Sequence, residues 1–320
     1  MTLGVVVVGL GQIGMASDLS LDPEVYVHTH ARAFHQHPAF ELLAGVDRSA
    51  QRRAEFTKAY GLPVYATVSE ALREIDPAVV AIAVPTEAHA AVVEEVLALR
   101  KPSAIFCEKP LSSNRDEAVS IVASCAQAGS QLFVNYIRRA DPAVREIKTR
   151  LDVGQITTPL KGVAWYSKGL FNNGSHFFDL LQYWLGELLA FQLVQKGHCW
   201  GTDPEPDFLA TFAGGQIHFL AAREEDYSHY TVEMISPSGR LRYDLGGSRV
   251  LWQPAIPSIT SPGYTVLDPT EEEIPNDLEK IQLHVTNELA AALDGRPAAI
   301  CTGTQALQTI EHLTRIKIAL

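Results

Sequence analysis

The sequence has no long hydrophobic run and no clustered cysteines. Its longest apolar stretches, such as residues 78–85, are far shorter than the roughly 20 residues that cross a bilayer. The N-terminus also lacks the basic segment of an export signal. The cysteines, at positions 107, 125, 199 and 301, show neither the spacing of a zinc site nor that of a disulfide framework. We therefore expect a cytoplasmic protein with reduced, structural thiols.

The sequence is also short of positive charge. Its 26 lysines and arginines face 37 aspartates and glutamates, which gives a formal net charge of -11. A nucleic-acid-binding surface needs clustered cations, so this balance favours a small-molecule ligand. Apolar residues make up 47% of the 320 positions and no tract is biased enough to indicate disorder, so we expect two folded domains.

The first 136 residues alternate between strand-like and helix-like patterns. The strands are short and apolar, as expected for strands buried on both faces of a parallel sheet. Ser113 and Asp116 have the spacing of a capping box for one of the helices. This alternation predicts a doubly wound α/β domain, a Rossmann fold, over residues 1–136. The expected strands are residues 4–8, 41–46, 78–84, 103–107 and 131–134.

Beyond this domain, residues 137–303 contain short segments of alternating polarity separated by turn signals. They predict an α+β domain with a mostly antiparallel sheet. A last amphipathic helix, residues 304–320, is expected to pack back on the first domain. The expected strands of the second domain are residues 160–166, 191–195, 208–212, 216–222, 230–235, 241–243 and 250–252.

A glycine-rich turn, Gly9-Leu10-Gly11-Gln12-Ile13-Gly14, follows the first predicted strand. Gly9 would permit the tight turn, Gly11 would let the backbone approach a pyrophosphate, and Gly14 would allow close helix packing. Free amides at the start of the following helix would then face the phosphates. The turn therefore predicts a dinucleotide site, and the alternative is a glycine-rich turn without a ligand.

Asp47 ends the second predicted strand, where a carboxylate would accept hydrogen bonds from the adenosine ribose and repel a 2′-phosphate. This favours NAD(H). Arg48 could pair with a 2′-phosphate, so NADP(H) stays open as the alternative. Asp47 lies 33 residues after Gly14, more than the roughly 20 that are usual. We interpret residues 18–30 as a loop inserted before or within the first helix.

Polar or rigid residues also follow the other predicted strands. Ligands of open α/β sheets bind outside the carboxyl ends of the strands, so these residues should meet around one cofactor. They are Pro85, Thr86, Glu108, Lys109 and Asn135.

Five motifs together resemble the Gfo/Idh/MocA family, named for glucose-fructose oxidoreductase, inositol dehydrogenase and a rhizopine-catabolism protein. The resemblance covers nearly the whole chain. The motifs are Gly9-x-Gly11-x-x-Gly14, Pro85-Thr86-x-x-His89, Glu108-Lys109-Pro110, Asn135-Tyr136-x-Arg138-Arg139 and Gly174-Ser175-His176-x-x-Asp179.

The resemblance implies a Rossmann domain followed by an open-faced sheet domain, with the substrate held between that sheet and the nicotinamide. It implies an NAD(P)-dependent oxidoreductase whose substrates are sugars, cyclitols or nucleotide sugars. A homodimer or homotetramer formed through the sheet is implied as well. The Pro85-Thr86-x-x-His89 motif also adds His89 to the expected cofactor-binding residues.

Hydride transfer from an alcohol needs a base for the hydroxyl proton and a cation near the developing alkoxide. Lys109 and His176 suit these tasks. Ser175 could N-cap a helix and so place His176 in its first turn. Asp179, three residues on, would share that helix face and fix the imidazole tautomer. The alternatives are a surface lysine and a structural histidine.

Asn172 stands where the resembling family often has an aspartate, four residues before the histidine. An amide cannot accept a proton, although it can hydrogen-bond a hydroxyl. Two functions therefore stay open: an NAD(H)-dependent oxidoreductase acting on a sugar-like alcohol or ketone, and a non-catalytic NAD-binding regulator or scaffold. The residues expected to bind substrate are Arg138, Trp165, Lys168, Asn172, Asp179 and Tyr183.

A run of histidines, His28, His30, His35 and His37, raises the question of a metal site. Their spacing does not put neighbouring histidines on one helix face, and no cysteine lies near them in the sequence. We expect no metal, since hydride transfer needs none.

Overall fold

The computed structural model describes residues 2–320. The chain forms two compact units. The first unit runs to Ala140 and also includes Glu279–Ile310, and the second comprises Asp141–Leu278 and Glu311–Leu320. The boundary expected after residue 136 therefore lies after residue 140.

Two further parts of the expected domain division differ from the structure. Residues 279–303 were expected in the second domain, but they belong to the first unit. The last helix is expected to pack back on the first domain, and its residues up to Ile310 do belong to that unit. Its residues from Glu311 onward belong to the second unit, where Leu313 and Ile316 are buried in the core.

The secondary structure alternates strands and helices in the first unit and is mostly strand in the second. Across residues 2–320 the strands are β1 (Leu3–Val8), β2 (Phe40–Val46), β3 (Val64–Tyr65), β4 (Val79–Ile82), β5 (Ala104–Cys107), β6 (Gln131–Val134), β7 (Leu160–Tyr166), β8 (Leu188–Trp200), β9 (Asp203–Phe212), β10 (Gly215–Ala221), β11 (Thr231–Ser236), β12 (Gly239–Asp244), β13 (Arg249–Pro257), β14 (Thr265–Leu267), β15 (Glu272–Glu273) and β16 (Cys301–Thr302). The α-helices are α1 (His30–Gln36), α2 (Ala50–Tyr60), α3 (Val68–Glu74), α4 (His89–Leu99), α5 (Arg115–Ala128), α6 (Pro142–Asp152), α7 (Ser175–Leu185), α8 (Ile281–Leu293) and α9 (Gly303–Ile318).

The sheet of the first unit has the strand order β3-β2-β1-β4-β5-β6, and these strands are parallel. This is the Rossmann order, in which ligands bind at the carboxyl ends of the strands where the order reverses, here between β1 and β4. β16 adds an antiparallel edge strand beside β6. The predicted doubly wound α/β domain is confirmed.

Burial on both faces explains why β-branched residues fill the central strands. Val6 and Val8 of β1 point into one core, and Val5 and Val7 point into another. Helices α3, α4 and α5 contribute buried residues to the first core, and α1, α2 and α8 contribute to the second. Both faces of the sheet are thus covered, as parallel sheets require.

The sheet of the second unit has the order β14-β13-β12-β11-β7-β10-β9-β8, with β15 paired to β13. Its neighbouring strands are antiparallel except for β7 and β10, which confirms the predicted mostly antiparallel sheet. Phe177 and Trp184 of α7 pack against the face that carries Tyr166. Lys161 and Trp165 are exposed on the opposite face, so the sheet is open on that side.

One helix start differs from the prediction. The N-cap of α5 is Asn114, whose side-chain oxygen accepts hydrogen bonds from the amides of Asp116 and Glu117. The capping box predicted for Ser113 with Asp116 is therefore wrong, because the neighbouring asparagine satisfies the free amides itself.

None of the helices within residues 2–320 is both long enough and apolar enough to span a membrane.

Candidate dinucleotide and catalytic sites

The glycine turn after β1 is shaped by close backbone contacts. Gly9 has a φ of +93°, and a Cβ there would lie 2.5 Å from the carbonyl oxygen of Ala83. A Cβ on Gly14 would lie 1.8 Å from the carbonyl oxygen of Gly9. A Cβ on Gly11 would meet no atom within 4 Å. Gly9 and Gly14 are thus required by the protein itself, whereas Gly11 leaves open space in front of the backbone.

The first helix of the fold is interrupted. After Gly14 the chain completes one helical turn, in which the amide of Met15 donates to the carbonyl of Gly11 at 3.0 Å. The helix resumes only at α1, where the amide of His30 donates to Ile13 at 3.0 Å and that of Ala31 donates to Gly14 at 2.9 Å. The inserted loop predicted from the long spacing therefore lies within the first helix.

A buried carboxylate fixes this insertion. Asp18 accepts hydrogen bonds from the amide of His28 at 2.8 Å and from the amide and hydroxyl of Thr29 at 3.0 Å each. Arg32 pairs with Asp18 and donates to the carbonyls of Leu21 and Tyr26 at 3.2 and 2.9 Å. The insertion is thus a built element that returns the chain to α1 in one defined position.

Asp47 lies just beyond the end of β2 and holds the glycine turn. Its Oδ2 accepts a hydrogen bond from the amide of Leu10 at 2.8 Å, and its Oδ1 accepts one from Ser49 at 2.7 Å. Each carboxylate oxygen has a further lone pair, so the group can still accept hydrogen bonds from ribose hydroxyls. Arg48 beside it is exposed.

A cavity of about 490 Å³ lies at this switch point of the sheet. Its size falls in the range of small-molecule sites. Gly9, Gly11, Asp47, Arg48 and Pro85 line it, so five of the predicted cofactor residues meet there. An open backbone approach at Gly11 beside a carboxylate at Asp47 fits the pyrophosphate and ribose of a dinucleotide.

The sequence reasoning missed the far wall of this cavity. Thr67 and Val68, at the start of α3, and Glu95 of α4 also line it. Thr67 forms a capping box with Glu70, and this Thr-x-x-Glu spacing could have revealed the helix start. Sequence spacing gives no comparable sign for Glu95.

His89 lies beneath the chain that leaves β4. Its side chain is fully buried, and its Nε2 and Nδ1 lie 3.0 and 3.2 Å from the carbonyl oxygens of Val84 and Leu111. His89 thus joins the segments that follow β4 and β5. Its contact with a cofactor stays a prediction, as does that of Thr86, which lies in the short turn before α4.

Glu108, directly after β5, is held by buried partners. Its Oε1 lies 2.8 Å from His30 Nε2 and accepts a hydrogen bond from Asn135 Nδ2 at 2.6 Å. Burial alone would raise the pKa of Glu108. The hydrogen bonds from His30 and from the Asn135 amide, together with the Lys109 charge, outweigh it and hold the pKa below its ordinary value. The carboxylate beside Lys109 therefore stays ionised at neutral pH.

In the second unit, Asn172 and His176 lie on one continuous helical segment. Gly169–Gly174 forms a π-helical turn that runs directly into α7. Ser175 is already inside the helix and its hydroxyl donates to the carbonyl of Asn172 at 2.9 Å. The predicted N-cap role of Ser175 is therefore wrong, because the helix begins earlier. His176 does lie in the first turn of α7, and Asp179 is buried one turn further on.

Two carboxylates that the sequence reasoning missed cap the π-helical turn. Glu205 accepts a hydrogen bond from the amide of Gly169 at 2.8 Å. Asp203 accepts hydrogen bonds from the amides of Phe171 and Asn172, at 3.0 and 2.9 Å to Oδ2. Burial raises the pKa of Asp203 despite these amides. Asn172 is thus placed by residues more than 30 positions further along the chain.

Lys168 and Trp165 belong to a neighbouring polar cluster. Lys168 Nζ lies 3.4 Å from Glu224, which also accepts a hydrogen bond from Tyr230 at 2.9 Å. The Trp165 ring lies 5.9 Å from the ring of His229, between centroids. The lysine predicted to bind substrate is therefore already paired with a carboxylate.

The predicted site residues fall into two sets. In the first unit the structure groups Asp47, Arg48 and Pro85 around the cavity, and Glu108 with Asn135 beside Lys109; Arg138 lies in the Ile137–Ala140 turn. In the second unit it places Asn172, His176 and Asp179 on one helical segment, with Lys168 and Trp165 at the end of β7.

The fold and the cavity define a Rossmann domain of the dinucleotide-binding type, joined in one chain to an open-faced sheet domain. Residues 3–136 match the model of the GFO_IDH_MocA oxidoreductase family, with its NAD-binding Rossmann fold. The resemblance seen in the sequence motifs is confirmed over residues 3–136, which match the model of that family.

Named relatives share parts of the sequence. Inositol 2-dehydrogenase of Mycolicibacterium smegmatis is 38% identical over 122 residues, 37% of this chain and 34% of that protein. UDP-N-acetylglucosamine 3-dehydrogenase of Acidithiobacillus ferrooxidans is 30% identical over 122 residues, 37% of this chain and 38% of that protein. These alignments span little more than a third of each relative.

A solved structure extends the likeness in fold to nearly the whole chain. The WlbA dehydrogenase of Bordetella pertussis, in complex with NADH and UDP-GlcNAcA, has a TM-score of 0.76 at 17% sequence identity. The superposition covers 99% of this chain and 95% of that one. The likeness in fold therefore includes the second unit.

Proposed function

We propose that the protein is an NAD(H)-dependent oxidoreductase that transfers a hydride between nicotinamide and a sugar-like alcohol or ketone. The observation that carries this proposal is the cavity at the switch point, where Gly11 offers open backbone and Asp47 offers a carboxylate. The relatives named for inositol and UDP-sugar dehydrogenation support a cyclitol, sugar or nucleotide sugar as substrate.

The proposed chemistry assigns distinct tasks to the residues of each unit. When bound, the nicotinamide supplies the hydride donor or acceptor. Lys109 would hydrogen-bond the reacting oxygen and exchange a proton with it, since an ammonium is a cationic proton donor. His176 would orient or deprotonate the hydroxyl. Asn172 would hydrogen-bond a hydroxyl without taking its proton.

Asp47 supports NAD(H) over NADP(H), because its charge would repel a 2′-phosphate at the ribose position. Thermal shift with each dinucleotide tests this preference, since specific binding raises the melting temperature. NADH should stabilise the wild type more than NADPH does, and Asp47→Asn should narrow the difference. Asp76→Asn, at an exposed position outside the cavity, is the matched control. A larger shift with NADPH in the wild type would contradict the preference.

Asn172 supports a second candidate, a non-catalytic NAD-binding regulator or scaffold. The amide stands four residues before His176, where a proton-accepting carboxylate would complete a catalytic group. Tight NADH binding without turnover of myo-inositol, UDP-N-acetylglucosamine or their ketone forms would favour this candidate. Sustained turnover of any of them would exclude it.

Self-association is proposed as well. The open face of the second sheet carries a groove of about 520 Å³ that includes Trp165, Ile235, Lys161 and Glu233. Exposed apolar residues flanked by one cation and one anion suit a surface that pairs with its own copy. Sedimentation should show a dimer or tetramer, and Trp165→Asp should dissociate it. A wild-type monomer at micromolar concentration would contradict the proposal.

A further inference from the structure

Four side chains from distant segments, three of them buried, form a closed hydrogen-bonded ring in the first unit. His30 Nε2 lies 2.8 Å from Glu108, and Asn135 Nδ2 lies 2.6 Å from the same carboxylate oxygen. Gln282 Nε2 lies 2.8 Å from His30 Nδ1, and Asn135 Nδ2 lies 3.4 Å from Gln282 Oε1. Helices α1 and α8 thus each contribute one side chain to the ends of β5 and β6.

The ring is costly to bury and nearly closed to water. His30, Asn135 and Gln282 are 0%, 1% and 2% exposed, and the Glu108 side chain is 13% exposed. Polar groups buried so deeply lower stability unless they are hydrogen-bonded. The four side chains are therefore expected to be stable in these positions only together. With the Gln282 amide donating to Nδ1, the ring proton of His30 lies on Nε2 and is donated to Glu108. The ring therefore fixes one carboxylate, and the next residue in the chain is Lys109.

His30 also touches the glycine turn. Its backbone amide donates to the carbonyl of Ile13 at 3.0 Å, while its side chain reaches Glu108. Gln282 is fixed in the same region, because its backbone amide donates to the carbonyl of Val27 at 3.1 Å. A single residue thus links the turn expected to carry phosphates with the segment that carries Lys109.

We infer that His30 and Gln282 are positioning residues for Lys109, acting through Glu108 and linking its segment to the glycine turn. This rests on the proposed function only in giving Lys109 a catalytic task. The inserted segment between Gly14 and α1 then has a structural role, because it sets the position of His30. It returns the chain so that the first residue of α1 is a histidine facing Glu108.

The chain offers a matched control for the ring. His37 follows α1, and its Nε2 lies 2.9 Å from Asn287 Oδ1 of α8. This pair joins the same two helices by the same kind of contact, and His37 is also buried. Among the described residues 2–320, His37 makes no hydrogen bond to Glu108. Because Asn287 is exposed, variants of this pair should lower stability less than variants of the ring, and only the ring variants should affect Lys109.

Chemical labelling of Lys109 tests the inference without cofactor or substrate. The rate of acetylation by acetic anhydride is measured at Lys109 by peptide mass spectrometry, relative to the exposed Lys101 of the same chain. A carboxylate that is no longer held beside Lys109 favours its ammonium form less. Acetylation of Lys109 should therefore accelerate about threefold or more in His30→Leu and Gln282→Leu.

His37→Leu and Asn287→Leu should leave the ratio of the two lysines unchanged. His30→Gln keeps a donor for Glu108 and should stay closer to the wild type than His30→Leu, which provides a reading if the leucine variant folds poorly. An unchanged ratio in the ring variants, or equal changes in the control variants, would overturn the inference. Absence of NADH turnover would overturn the proposed function while leaving this labelling result as it is.

Discussion

Two glycines of the turn after β1 differ in what constrains them. Gly14 has the carbonyl oxygen of Gly9 where a Cβ would stand, 1.8 Å away, whereas Gly11 has open space within 4 Å. The fold itself requires a glycine at position 14. The open space at Gly11 fits a ligand that approaches the backbone, which makes this position a direct test of dinucleotide binding.

Gly14→Ala should lower the free energy of unfolding by about 1–3 kcal/mol, because the backbone must shift to admit the methyl group. Gly11→Ala should leave unfolding nearly unchanged and weaken NADH binding at least tenfold, by about 1.4 kcal/mol or more. Urea unfolding and NADH fluorescence titration measure the two effects. Wild-type NADH affinity in Gly11→Ala would count against a dinucleotide lying on this turn.

The charge of Glu224 sets a pH dependence in the second unit. Burial alone would raise its pKa, but hydroxyl hydrogen bonds from Ser228, Ser167 and Tyr230 and the charge of Lys168 lower it to about 2. A carboxyl whose pKa is lowered by folding stabilises the folded state at pH values above its pKa in the unfolded chain. That contribution is lost as the pH falls towards the folded value.

Glu224→Gln should therefore be less stable than the wild type at about pH 7, and the gap should shrink as the pH falls from about 5 to about 2. Urea unfolding at several pH values measures it. Glu225→Gln, at an exposed neighbouring position, should show no such gap. A gap that is constant with pH would mean that the Glu224 charge is not responsible.

At the scale of elements, the insertion within the first helix depends on one buried ion pair. Arg32 is 7% exposed and Asp18 is 0% exposed, and the arginine also donates to carbonyls of the loop. Removing one partner of a buried pair leaves the other charge unpaired, which is more costly than losing an exposed pair.

Arg32→Leu should destabilise the first unit by about 3–5 kcal/mol. Arg52→Leu, which removes a half-exposed pair with Glu55, should cost less than about 1 kcal/mol. Chemical denaturation of both variants measures the difference. Equal losses would show that the insertion does not depend on the Asp18 pair.

The elements also show what a sequence can predict. The strands of both sheets follow from apolar runs and alternation, which are local patterns, and the long spacing to Asp47 revealed the insertion. The ring around Glu108 could not be predicted, because His30 lies 78 residues before Glu108 and Gln282 lies 174 residues after it. No periodicity joins these positions. Asp203 escaped notice for the same reason, as its partners Phe171 and Asn172 precede it by more than 30 residues.

At the scale of the whole molecule, the chain does not divide where its sequence pattern changes. The periodic apolar residues of α8 show that one face is buried, but not in which core. Val285 and Leu289 pack in a core of the first unit, together with Val5 and Val7 of β1. Returning α8 to that unit also supplies Gln282 to the ring, so this part of the fold serves the candidate site.

The measurement that tests the central claim most directly is turnover by the wild type and Lys109→Met, followed by NADH absorbance, with myo-inositol, UDP-N-acetylglucosamine and their ketone forms. We predict turnover of at least one pair by the wild type. Lys109→Met should still bind NADH and lose about 10²–10⁴-fold in rate. Lys101→Met, at an exposed position, should keep the full rate. A Lys109→Met variant as fast as the wild type would contradict the account.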